Sequence, residues 1–346
     1  MITLDTANLK IAENKRKFYI PDFFELKKIP QIRTNFTHFV LLGIGGSALS
    51  AKLFNSALAQ NENFHILDNI DPTQIKEIEA KINIRQTLFI VISKSGQTVE
   101  TQALYKYFSS KAPENQFLFI TSEKENHLHK HENKYTFPND VPGRFSALTE
   151  VGLIPALLMG LNPKRIIAGA QKILQNPKAA IALAQAQHQQ YLKGKDIHAL
   201  MPYSYQLRDL PEFFAQLIAE SLGKKGKGIT PLKAMGATDQ HSQIQLYNDG
   251  PKDKLIIFVE IEKIHHSIHE FAKLLKIEKK ATEMALAKNR VPTITIKLDQ
   301  LNEETLGELI MLLYLSTAFL GELMKINPFD QPGVELGKQL IKKLLP

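Results

Sequence analysis

The sequence predicts an α/β chain with two doubly wound parallel sheets in three-layer α-β-α arrangements, and three observations point there. Short apolar, largely β-branched runs alternate with helical patterns from residue 38, and a second such series starts near residue 197. Alternation of this kind marks strand–helix–strand units with parallel strands. The runs themselves, such as Phe89-Ile-Val-Ile92, read as buried strands. The length of 346 residues is enough for two cores.

In chain order, strands are expected at His38–Leu42, Phe64–Leu67, Leu88–Ile92 and Gln116–Ile120, with helices near 47–60, 73–81 and 98–110. A helical segment, Ser146–Met159, follows Val141-Pro-Gly-Arg-Phe145. The Ala/Gln-rich stretch 164–193 reads as long helix broken at Pro177. Strands at Ile197–Met201, Leu255–Ile261 and Thr293–Leu298 follow, with helices near 210–222, 267–275, 303–325 and 333–344. The expected division is an N-terminal domain over 1–160, then a linker helix, second domain and C-terminal helix over 161–346.

Composition narrows the classes. There is no cysteine, so disulfides, thiolate catalysis and cysteine-ligated metals are excluded, and a reducing cytosol fits. Met1-Ile-Thr-Leu-Asp-Thr6 lacks the basic start and apolar core of a signal peptide. Leu309–Met324 is interrupted by Tyr314, Ser316, Thr317 and Gly321 and reads as a buried helix, so no membrane partner is expected. The net charge of +8 suits an anionic partner. Its basic residues are scattered without a nucleic-acid signature, so a small phosphorylated metabolite suffices. His265 and His269 have an i,i+4 spacing, but with only Glu270 as a local carboxylate no metal site is expected. Lys224, Lys225 and Lys227 could attract a phosphate or nucleic acid but read as a flexible charged loop.

Two strand-to-helix junctions are rich in donors. Ser93, Lys94, Ser95, Gly96 and Thr98 follow a buried strand and precede a helix. Hydroxyls, a cation and free backbone N–H groups at a helix start suit an anion, and glycine permits close approach. Capping alone also uses Ser and Thr, but needs fewer of them. The earlier junction, Leu42-Gly43-Ile44-Gly45-Gly46-Ser47-Ala48, satisfies the relaxed dinucleotide fingerprint, with Asp68 placed as a ribose-binding acid. A nicotinamide dehydrogenase therefore stays open beside a sugar-phosphate site. Gln216 and Glu220 share a helix face, although a carboxylate at a helix end is commonly solvated. His241 stands among polar residues in Asp239-Gln-His-Ser-Gln243, and Gln331 and Lys338 lie in a Pro/Gly-rich turn entering a helix.

Together these pieces resemble the phosphoglucose isomerase family. The matching stretches are GIGGSALS (43–50), ISKSGQTVET (92–101), VPGRFSALTEVGLIPAL (141–157), QLIAESLGK (216–224), DQHSQIQL (239–246) and NPFDQPGVELGK (327–338), in family order. The resemblance implies two sugar-isomerase (SIS) domains that interconvert glucose 6-phosphate and fructose 6-phosphate with no cofactor and no metal. It implies phosphate-end contacts by Gly45, Gly46, Ser47, Ser93, Lys94, Ser95 and Thr98. Glu220 matches the base that moves a proton between C2 and C1, and Arg144 the cation beside the enediolate. His241 and Lys338 match groups that assist ring opening, and Gln216 and Gln331 match positioning amides. It also implies a homodimer in which the residue matching His241 reaches into the partner's site. The chain is short for the family, and SKSGQT resembles compact members, including dual phosphoglucose/phosphomannose enzymes. Gln331 stands where those dual enzymes carry threonine, which favours glucose. A non-catalytic sugar-phosphate-binding protein is the remaining alternative, and it leaves Glu220, His241 and Lys338 without a purpose.

Overall fold

The computed structural model describes residues 1–6, 9, 17–24, 32–264 and 268–345. The strands are β1 (Ile2–Asp5), β2 (His38–Leu42), β3 (Phe64–Leu67), β4 (Thr87–Ile92), β5 (Phe117–Ser122), β6 (Lys134–Phe137), β7 (Ile197–Pro202), β8 (Thr230–Lys233), β9 (Lys254–Ile261) and β10 (Thr293–Leu298). The helices are α1 (Leu49–Phe54), α2 (Pro72–Lys81), α3 (Val99–Ser109), α4 (Glu150–Leu158), α5 (Pro163–Gln175), α6 (Lys178–Leu192), α7 (Leu210–Leu222), α8 (Ile244–Asp249), α9 (His269–Lys288), α10 (Glu303–Met324) and α11 (Glu335–Leu344).

The first sheet has strand order β3-β2-β4-β5-β6, all parallel. The second has order β1-β10-β9-β7-β8 and is parallel except for β1. In each sheet the chain steps to one side of its first parallel strand and then to the other. That reversal leaves a crevice beyond the strand C-termini, between β2 and β4 in the first sheet and between β7 and β9 in the second.

Side chains alternate between two buried faces. Leu41, Ile90 and Ile92 point into a core shared with α1, α4, α5, α6, α7, α10 and the inner face of the second sheet. Val40, Leu42, Phe89 and Val91 pack outward with Leu104 and Phe108 of α3. Ala199, Met201 and Phe258 do the same for the second sheet with Tyr247 of α8 and Leu286 of α9. Burial of both faces explains why the strand segments read as unbroken apolar runs. The inner helical layer is common to both sheets. α10 runs through its centre and is the one helix among the described residues long and apolar enough to cross a membrane, but 89% of its apolar window is buried inside the protein.

Several elements differ from expectation. β1 falls outside the 1–160 grouping, because it pairs antiparallel with β10 as the edge of the second sheet. The long segment over 164–193 breaks as expected at Pro177, into α5 and α6. α9 runs to Lys288, well beyond residue 275. Its Phe271, Leu274, Ile277 and Met284 are exposed, so the burial stripe that would delimit it in sequence is weak.

Candidate active site

The two donor-rich loops meet at the crevice of the first sheet. Leu42 pairs with Val91 at adjacent strand ends, so the 43–48 and 93–98 loops leave the sheet side by side. Thr98 is the N-cap residue of α3, yet its side chain caps no backbone N–H. It lies 3.0 Å from Ser93 Oγ instead. Ser95 Oγ accepts from the Gln97 N–H at 3.1 Å. Simple capping therefore does not account for this loop's hydroxyls. Gly96 has φ +68°, and a Cβ there would lie 2.8 Å from Asn126 Oδ1, which explains the glycine. Lys94 Nζ donates to the carbonyl of Val141 at 2.9 Å. Burial lowers the Lys94 ammonium pKa, with Asp140 opposing and Arg144 adding to the shift.

The 45–47 turn packs on the 143–145 turn, and Gly46 makes that approach feasible. A Cβ at Gly46 would sit 2.4 Å from the carbonyl oxygen of Gly143 and 2.8 Å from the backbone nitrogen of Arg144. Two backbones meet where no side chain fits. Ser47 lies half-buried at the end of this turn. Gly45 faces the amide of Gln216, whose Nε2 would lie 2.9 Å from a Cβ there. The first loop thus touches both the Arg144 turn and the helix that bears Glu220.

Arg144 is the hub, with a side chain only 1% exposed. Its Nε donates to Ser221 Oγ at 2.7 Å. Nη1 donates to Glu220 Oε2 at 3.3 Å and to Gln331 Oε1 at 2.8 Å. Nη2 donates to the carbonyls of Pro328 and Asp330. Burial pulls the guanidinium pKa down, and the neighbouring Glu220 carboxylate pulls it back. Arginine remains a cation under such pressure, where histidine or lysine would titrate. Glu220 stands on the last turn of α7, 33% exposed, with Oε1 accepting from Gln216 Nε2 at 2.9 Å. Both carboxylate oxygens are therefore oriented while the group still faces the opening.

The structure gathers Gly45, Gly46, Ser47, Ser93, Lys94, Ser95 and Thr98 on two adjacent loops, and Arg144, Gln216, Glu220 and Gln331 in one bonded cluster. It does not gather His241 or Lys338 into that cluster. Lys338 Nζ pairs with Glu335 Oε1 at 2.8 Å on α11, and its side chain is 58% exposed. His241 is exposed and lines a groove of about 530 Å³ with Tyr205, Ile264, Ile268, Phe271 and Leu275. Ser221 and the Pro328 and Asp330 carbonyls escaped the sequence reading. Their signal was adjacency to Glu220 and Gln331, and backbone acceptors carry no sequence mark. Lys224, expected in a flexible charged loop, has a side chain that is 9% exposed and bonded to Asp330.

Asp68, the acid a dinucleotide would require, is ion-paired with Lys52. Burial works against the Lys52 charge, yet the Asp68 hydrogen bond and the charges of Asp68 and Glu212 raise its pKa on balance. That carboxylate is committed to a cation on α1. Among the described residues no group of three or more acidic or histidine side chains could hold a metal, and His265 and His266 lie outside them.

Comparison with known proteins decides the family. A family model described as phosphoglucose isomerase matches residues 31–252 and 255–346. The chain belongs to the phosphoglucose isomerase family. Among phosphoglucose isomerase relatives, a glucose-6-phosphate isomerase of Carboxydothermus hydrogenoformans is 36% identical, over 98% of this chain and 88% of its own length. A crystal structure of a hypothetical protein from Thermus thermophilus superposes with a TM-score of 0.78 at 34% identity, covering 89% of this chain and 83% of that one. A glucose-6-phosphate isomerase from Chlamydia trachomatis superposes with a TM-score of 0.80 at 24% identity, covering 90% and 70% respectively, and so shares the fold.

Proposed function

We propose that this chain interconverts glucose 6-phosphate and fructose 6-phosphate, with Glu220 carrying the proton. The observation that carries the reading is Glu220 held between Gln216 and a buried Arg144, beside two loops rich in hydroxyl and ammonium groups. The loops suit the phosphate end of an open-chain sugar. With that end anchored, Glu220 takes the proton from C2, acidified by the C1 aldehyde. The C2–H electron pair forms the C1–C2 double bond, and O1 becomes the oxyanion that Arg144 stabilises. A proton passes from O2 to O1, Glu220 returns its proton to C1, and C2 becomes the carbonyl. No electron leaves the substrate, so the step is balanced.

Family membership supports ring-opening roles for His241 and Lys338, and the site would lie between two sugar-isomerase units divided near residue 160, β1 excepted. The exposed apolar groove around His241 supports a homodimer in which one protomer's His241 completes the other's site. The lack of cysteine supports a cytosolic setting. Glutamine at position 331, where dual phosphoglucose/phosphomannose enzymes carry threonine, supports glucose over mannose as the substrate.

Glu220→Gln should lower fructose 6-phosphate turnover by ~10²–10⁴ and slow solvent hydrogen exchange at C2 equally. Undiminished turnover refutes the role of Glu220. Glu220→Gln and His241→Ala, each inactive alone, should regain activity when co-expressed as verified heterodimers. A heterodimer that stays inactive would sink the shared site.

A further inference from the structure

We infer that Lys224 and Asp330 form a positioning pair that, together with Arg144, holds the Gln331 turn over the reacting carbons. The inference rests on the isomerase site proposed above and adds two residues to it. α7 ends at Leu222, and Gly223 turns the chain so that Lys224 points back along the 327–331 turn. There its ammonium donates to the carbonyl of Asn327 and lies 2.7 Å from Asp330 Oδ1. Asn327 Nδ2 holds the other Asp330 oxygen at 3.0 Å. The Lys224 hydrogen bond is the main cause of the lowered Asp330 pKa.

The same short turn is held from within by Arg144, through the Pro328 and Asp330 carbonyls and the Gln331 amide. Two cations thus bond one turn, both of them at Asp330. One of them, Lys224, lies just past the end of the helix that bears the proton carrier Glu220. The position of Gln331 relative to Glu220 is consequently set by two charged links in addition to the packing of Pro328 and Phe329. A cavity of about 300 Å³ lies behind the turn, lined by Gly223, Lys224, Asn327 and Asp330. Without the Lys224 link the turn has open space beside it into which to shift. α11 starts four residues after Gln331, so its approach angle follows the turn as well.

Neither residue would touch the phosphate loops, so its loss should register in the chemical step and leave binding of the anchored end intact. Misplacement on the scale of an ångström costs up to ~10²-fold in rate. Lys224→Met and Asp330→Asn should each lower kcat by ~10–100-fold with KM changed less than about threefold, and their double variant should be no slower than the slower single. Asp330 is half-exposed, so Asp330→Asn tests the pair even if Lys224→Met fails to fold. A kcat within twofold of wild type in folded Asp330→Asn overturns the pair, as does a multiplicative loss in the double variant. So does a loss confined to KM. Glu220→Gln, run in parallel, separates the two levels. Its full turnover refutes the site, whereas an inactive Glu220→Gln beside unaffected pair variants refutes only the positioning.

Discussion

At the residue scale, Arg144 shows how a buried charge is made tolerable. A guanidinium has five N–H donors in a fixed fork, and here its nitrogens reach five acceptors drawn from α7 and the 328–331 turn. A lysine offers three donors from one point and cannot span that arc. Arg144→Lys should therefore lower kcat by ~10²–10³, the usual effect of losing an oxyanion donor, while circular dichroism stays native. Wild-type kcat in that variant would remove Arg144 from the chemistry. Most side chains of this cluster were legible, since Gln216 and Glu220 share a face and Gln331 sits in a recognisable turn. Three of the five groups that bond Arg144 were not picked out by sequence: Ser221, whose one signal was adjacency to Glu220, and the Pro328 and Asp330 carbonyls, which any residue supplies. Lys224 was misread for a related reason: whether a lysine beside glycines is solvated depends on a partner about a hundred residues away.

At the element scale, the central strands were legible, and of the four edge strands only β3 was. β2, β4 and β9 announce themselves as apolar runs. β8 contains Pro231 and closes one edge of its sheet, where a missing N–H costs no ladder bond. β6 begins on an exposed lysine and also lies at an edge, so neither resembles a core strand. Helix packing has its own hidden determinant. α5 and α10 approach so closely that a Cβ at Gly169 would lie 1.8 Å from the Glu304 carbonyl oxygen. Reciprocally, a Cβ at Gly307 would lie 1.9 Å from that of Ile166. The obstacle is backbone on both sides, which no rotamer change relieves. Gly307→Ala should destabilise the fold by at least ~1–3 kcal/mol, read as a lower urea midpoint. An unchanged midpoint would show that the helices part freely. The start of α10 is fixed separately, by a reciprocal capping box between Asn302 and Thr305.

At the scale of the whole molecule, acid stability should depend on one histidine outside the site. His198 is fully buried at the start of β7, its Nδ1 3.2 Å from the Gln187 amide and its Nε2 3.1 Å from the Lys195 carbonyl. Burial pushes its pKa down to about 3, against the weaker pull of the Lys195 carbonyl. Unfolded, it titrates near ~6.5, so below that pH the unfolded chain binds a proton that the folded one excludes. Its share of the stability is therefore complete above ~6.5 and declines by up to ~1.4 kcal/mol per pH unit as acidity approaches 3. In urea unfolding between pH 7 and 4.5, His198→Asn should show a shallower loss of stability than wild type. Parallel slopes would refute the assignment. The pairing of β1 with β10 has a different kind of consequence, because it sets the order in which the chain can finish itself. Ile2 meets Leu298, so at ~5–20 residues per second a ribosome takes roughly 15–60 s to deliver the partner of the first strand. Closing a loop of that span costs ~5 kcal/mol of chain entropy, so it is favoured only once β9 and β10 offer a formed edge. β1 is synthesised well before β10 yet seated after it, and a nascent chain stalled before residue 293 should leave Ile2–Asp5 open to a protease.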